Sequence, residues 1–285
     1  MTASPGIPAD LAPAFHGCAR VTRARSSSYW LATAVLPRTH RPFVHALYAF
    51  ARRADDLVDH PGTDPAGALD AYRSEFRRAV AGGSTQESVL DAVAYTIDVW
   101  DLPLGAFDRF FRSMEMDLTV VSYESWDDLL GYMDGSAAAI GELMLPILEP
   151  EDRGRAFGPA RDLGLAFQLT NFLRDIDEDL DRGRQYVPQA DLRRFGVDLT
   201  ARRATPEFAE LMEFEIERCR RLYESADDGI TLLPARSARC VRLASELYQR
   251  ILTRIEDAGG DVFTNRARVP GLEKARVVVK TLARH

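Results

Sequence analysis

Two short acidic runs hold the residues whose types and spacing could do chemistry. In QLTNFLRDIDEDL (168–180), Gln168, Asn171, Asp175 and Asp179 recur at steps of three, four and four. That repeat places side chains along one face of a helix. Leu165, Leu169, Phe172 and Ile176 fall off the line and can bury the rest of it. Two carboxylates one turn apart repel by roughly 0.2–0.5 kcal/mol on a helix, and Glu178 and Asp181 deepen the field. A cation is the expected companion.

RRADDLVD (52–59) repeats the arrangement. Asp55 and Asp59 are four apart, Arg52 lies one turn before Asp55, and Val44, Leu47, Ala51, Ala54 and Val58 keep an apolar line at helical spacing. Alone, either pair reads as a solvated acidic face. Two copies in apolar, helix-forming surroundings read differently. Mg2+ is held by one or two carboxylates plus substrate phosphates, and arginines accompany both runs (Arg52 and Arg53; Arg174) as forks for phosphate oxygens. The chemistry implied is a Mg2+–diphosphate site with two acidic walls, Mn2+ being the alternative metal.

The elements that must position these residues all read as helices. Residues 1–15 read as a flexible Pro/Ala tail, and 16–285 as one catalytic domain. A helix capped by Ser26–Ser28 runs towards Pro37, and the first acidic helix opens at Arg41-Pro42 and closes at Pro61-Gly62. Further helices span 66–80, 87–100, 104–118, 126–145, 155–180, 207–232 and 237–258, and a basic one ends the chain. The small-residue patch of 135–141 suits either tight helix contact or a ligand tail. With no period-2 stretch, the expected fold is all-α, a single-domain bundle with a cavity between helices.

Composition narrows the partners. The 285 residues are 46% hydrophobic and 28% charged with a net charge of −7, which suits a globular core and argues against nucleic acid. Lys274 and Lys280 are the only lysines; the other basic residues are arginine. Cys18, Cys219 and Cys240 show no metal spacing. His60 reads as a surface residue beside the Pro61-Gly62 turn. No signal peptide or membrane-spanning run is visible, so the expected location is cytoplasmic. Arg268, Lys274, Arg276, Lys280 and Arg284 offer a basic face for peripheral contact with anionic lipid.

The acidic runs lie inside longer strings: SSSYWLATAVLP (26–37), ALYAFARRADDLVD (46–59), MEMDL (114–118), GYMDGSAAAIGELMLPIL (131–148), QLTNFLRDIDEDLDRGRQYVPQADLRRFGV (168–197) and LYQRILTRIEDAGGDVFTNRARVP (247–270). In these strings and their order the chain resembles the squalene/phytoene synthase family, whose members join two prenyl diphosphates head to head within a class I isoprenoid synthase fold. The resemblance implies Asp55 and Asp59 as metal ligands on one wall, and Asp175 and Asp179, with Asn171, on the other. It implies Arg52 and Arg174 as diphosphate grips, and Ser28 with Arg25 beside the phosphates. Tyr132 would lie near the reacting carbons, with Tyr186, Tyr248 and Arg266 as polar lining. Asp134 and Asp177 depart from the family pattern; Asp177 is expected to face outward.

The implied reaction ionises one allylic diphosphate, couples the cation to the second substrate through a cyclopropylcarbinyl diphosphate, and rearranges it. Proton loss ends at phytoene from two geranylgeranyl diphosphates. From two farnesyl diphosphates the alternatives are presqualene diphosphate, squalene (which alone needs NADPH) or hydroxysqualene. The string DVFTNRARVP favours the phytoene ending. A reading from another class is a non-catalytic prenyl-lipid-binding helical protein. Substrate length and oligomeric state depend on cavity depth and surface shape, which spacing does not encode.

Overall fold

The structure, a computed structural model, describes residues 6–59, 62 and 64–283. His60, Pro61 and Arg284 lie outside the described residues. Within them the chain is an all-α single domain, and the described residues hold no strand beyond an isolated Ser122–Gln185 bridge.

Helices α1 (Ala12–Arg25) and α2 (Ser27–Thr33) lead into α3 (Arg41–Asp59), α4 (Pro65–Val80), α5 (Ser88–Trp100) and α6 (Leu104–Met116). Next come α7 (Trp126–Met133), a π-helical turn (Asp134–Ala138) and α8 (Ala139–Leu148). Helices α9 (Arg153–Arg174), α10 (Ile176–Asp181) and α11 (Gln189–Phe195) follow. Two long helices, α12 (Pro206–Ile230) and α13 (Ala235–Asp257), precede α14 (Gly271–Ala283).

The tail expectation needs correcting. Pro13 sits at the start of α1, where its missing N–H costs nothing, so a Pro/Ala stretch becomes a helix rather than a loose end. Ala14 and Phe15 are buried, and the Phe15 ring meets Phe43 edge-on at 5.5 Å. The folded body therefore begins at or before residue 12.

α3 carries two stripes. Phe43, Leu47, Phe50, Ala54 and Val58 are buried in the main core. Phe50 alone has the rings of Phe76, Phe107, Phe110 and Phe111 within 5.3–5.6 Å. Tyr48, Arg52, Asp55 and Asp59 form the second stripe, turned towards a cavity. On the far side α9 packs against α12, α8 and α13, burying Leu165, Leu169 and Leu173.

The second acidic helix is not continuous. At Asp175 the backbone leaves helical geometry (φ −105°, ψ 15°) and resumes as α10. Its N–H still donates to the Asn171 carbonyl (2.9 Å), and the Asp179 N–H donates to the Asp175 carbonyl (2.8 Å). The four-residue spacing thus survives a bend in the bridge region of backbone space.

The small-residue patch is a close helix contact. A Cβ on Gly141 would run into the Ala160 carbonyl of α9, and one on Gly135 into the Arg109 carbonyl of α6. Gly141→Val should therefore cost about 1–3 kcal/mol through overpacking. For a chain of this size that lowers Tm by roughly 2–4 °C per kcal/mol. Thermal melting followed by circular dichroism is the check; an unshifted midpoint would contradict the contact.

Candidate active site

A cavity of about 840 Å³ opens between α3 and the α9–α10 bend, closed off by α2, α13 and the segment before α14. The residues that the family resemblance implies for the site line it: Arg25, Ser28, Arg52, Asp55, Asp59, Tyr132, Asn171, Arg174, Asp175, Asp179, Tyr186, Tyr248 and Arg266. Arg53, read from the sequence as a second phosphate fork, is absent from the lining and bonds to Glu87 instead. The two acidic pairs, distant in sequence, bound one space.

Their electrostatics are unequal. Asp55 is pushed up to about 7 by burial and then by its neighbour Asp59. Asp179 is also pushed up to about 7, by burial first and then by Asp175, with Asp59 of the facing wall adding to it. Asp175 behaves oppositely: burial raises it, but the guanidinium groups around it prevail and hold it below the usual carboxylate range. Arg174 donates to both its oxygens (2.7 and 2.5 Å), and Arg266 Nε donates to Oδ1 at 2.7 Å. Asp59 accepts from Arg184 Nη1 at 2.7 Å.

Below the acids the lining turns aromatic. Tyr186 stacks on Phe172 with ring centroids 3.9 Å apart, Tyr132 lies 5.6 Å from Tyr186, and Tyr248 packs 4.5 Å from Phe167. Tyr132 and Tyr186 both donate to Asp117, at 2.9 and 3.0 Å. Asp117 and Arg184 line the cavity yet were not singled out from the sequence. The only signals were the MEMDL string and a loop arginine, neither carrying a period.

The two departures lie outside the cavity lining. Asp134 pairs with Arg109 (3.1 Å) and Arg161 (2.5 Å), which together also hold the buried Glu142. Asp177 turns outward to Arg202 at 2.8 Å. Among the described residues no three acidic, histidine or cysteine side chains gather closely enough to hold a metal by themselves.

The squalene/phytoene synthase family model matches residues 22–273. The chain belongs to that family. It is a prenyltransferase with the family's all-α fold. It is 34% identical to the phytoene synthase of Thermus thermophilus, over 96% of this chain and 94% of that protein. A squalene synthase structure, HpnC from Alicyclobacillus acidocaldarius, is 35% identical with a TM-score of 0.81, covering 89% of this chain and 97% of that one. A dehydrosqualene synthase solved in complex with a ligand superposes at a TM-score of 0.90, with 27% identity over 96% and 97% of the two chains.

Asp117 offers a pH test of this interior. Burial, the largest cause, raises it to about 6 against the opposing pull of Arg184, while an unfolded aspartate titrates near ~3.9. The folded state therefore binds this proton more tightly, so its contribution to stability is full below pH ~4 and is lost as pH rises towards 6. Asp117→Asn should flatten the stability-versus-pH curve across that window by on the order of 2–3 kcal/mol. Urea denaturation at stepped pH measures it; parallel curves for the two proteins would refute the assignment.

Proposed function

We propose that the protein condenses two prenyl diphosphates head to head, two geranylgeranyl diphosphates giving phytoene. The observation that carries this is the meeting of both acidic pairs around one cavity with arginines at the rim and aromatic rings beneath. Asp55, Asp59, Asn171, Asp175 and Asp179 are the residues that would hold Mg2+ or Mn2+. When bound, the metal supplies neutralising charge to a departing diphosphate. The fit is supported by Arg52, whose Nε is buried without a partner among the described residues, a donor waiting for an anionic oxygen.

The chain's own groups divide the remaining work. Arg52, Arg174 and Arg266 bind and orient diphosphate oxygens. The faces of Tyr132, Phe172, Tyr186 and Tyr248 surround the region where an allylic cation forms, attracting it through their π-electrons and keeping water away. Next to the site, a narrow apolar pocket lies between α2, α8, α9, α12 and α13, with Tyr29, Met144, Leu163, Phe167 and Val241 among its lining. It suits a hydrocarbon tail. The squalene and dehydrosqualene synthase structures favour a second reading of the same site, condensation of two farnesyl diphosphates to presqualene diphosphate, squalene or hydroxysqualene.

Release of diphosphate from geranylgeranyl and farnesyl diphosphate with Mg2+, with the hydrocarbon identified by chromatography, separates these readings. A phytoene peak from the C20 substrate is the expected result, and no release from either would leave only lipid binding. Asp175→Asn should lower release at least a hundredfold while circular dichroism stays unchanged; turnover like the wild type would contradict the metal assignment.

No described helix is long and apolar enough to cross a membrane. α14 nevertheless exposes Leu272 and Val279 (81% and 68%) beside Arg276 and Lys280, also exposed, which supports peripheral contact with an anionic bilayer. Sedimentation with phosphatidylglycerol vesicles but not with phosphatidylcholine vesicles is expected, and Val279→Asp should weaken it. Equal sedimentation with both would exclude the charge contribution.

A further inference from the structure

We propose that Asp56, an acid of the first run that does not line the cavity, is a positioning residue: it holds Arg25 and Arg52 side by side at the rim and keeps Arg52 off Asp55. The inference rests on the reading of Asp55 as a metal ligand and Arg52 as a diphosphate donor.

The geometry is specific. Arg25 ends α1 and Arg52 lies in α3, and both line the cavity. Asp56 Oδ1 accepts from Arg52 Nη2 at 2.5 Å, and Oδ2 accepts from Arg25 Nη2 at 3.2 Å. One carboxylate thus draws together two guanidinium groups that would otherwise repel. Both arginines come from different helices, so the contact also fixes the end of α1 against α3.

Helical spacing shows what Asp56 prevents. Arg52 precedes Asp55 by three residues and Asp56 by four, and side chains at either separation can meet. Asp55 and Asp59 both pull on Arg52 through space. Its direct bond goes to Asp56 instead, and its buried Nε is left without an acceptor among the described residues. Arg53, the next residue, is drawn out of contention by Glu87 at 2.9 Å. With Asp56 neutral, Asp55 becomes the carboxylate within reach of Arg52. A guanidinium settled there would cover oxygens that a cation needs and withdraw a donor from the diphosphate.

Two measurements on the full chain test this. A crystal structure of Asp56→Asn should show the Arg52 guanidinium within hydrogen-bonding distance of Asp55. In assays of diphosphate release, the Mg2+ concentration for half-maximal rate should rise about tenfold in Asp56→Asn, the lower end of what outer ligand-supporting residues contribute. Asp56→Glu, which keeps a carboxylate four residues on, should stay within about threefold of wild type and guards against a variant that fails to fold. Arg52 keeping its place in Asp56→Asn, or an unchanged Mg2+ requirement, would overturn the proposal. A wild-type protein that releases no diphosphate would fail the functional reading instead, and the position of Arg52 in the variant structure would then decide this inference alone.

Discussion

Bringing carboxylates together around a buried cavity is the constraint on which the structure turns. Two unit charges about 4 Å apart interact by roughly 4 kcal/mol at the effective dielectric near a protein surface, and the acids here approach within and across the walls. The chain meets the difficulty in the same way on each side. Asp59 and Asp175 lie against arginine, while burial pushes Asp55 and Asp179 up to about 7, Asp179 in spite of Arg182 at 3.4 Å. Each wall is therefore eased partly by guanidinium groups and partly by the raised proton affinity of its buried acids.

Rigidity around this arrangement comes from close helix contacts and from polar ties outside the cavity lining. Gly135 and Gly141 let α6, the π-helical turn, α8 and α9 approach at backbone distance. Thr170, buried in α9, bonds to Tyr223 of α12 at 2.8 Å, locking the acid-bearing helix to its longest neighbour. The charged cluster of Arg109, Asp134, Glu142 and Arg161 sits behind the wall. It converts a departure from the family pattern into a tie between α6, α8 and α9, with no part in the cavity.

Much of the fold was legible because helical periodicity is a local property. The spacing of Val44, Leu47, Ala54 and Val58 placed α3 closely, and the run from 155 to 180 was read as helical throughout, without the break that ends α9 at Arg174. Where the reading failed, the deciding contact was distant in sequence. Phe15 makes α1 part of the core by meeting Phe43 and Tyr95, which the composition of a Pro/Ala stretch does not disclose. The bend at Asp175 coincides with two arginines gathered on its carboxylate, one of them 91 residues away. Asp117 has no periodic partner, and only two tyrosines from other segments reveal it.

By itself the sequence determined that the protein is helical, that two acid pairs each recur at a helical spacing, and that arginines accompany both. Those follow from the 3.6-residue repeat and from side-chain chemistry, both carried by neighbours along the chain. Only the tertiary structure decided that the two faces enclose one cavity, how burial and neighbouring arginines shift each acid, and that Asp134 and Asp177 turn away from it. These depend on burial and on charges that folding brings within a few ångströms, quantities that no stretch of residues holds before the helices pack.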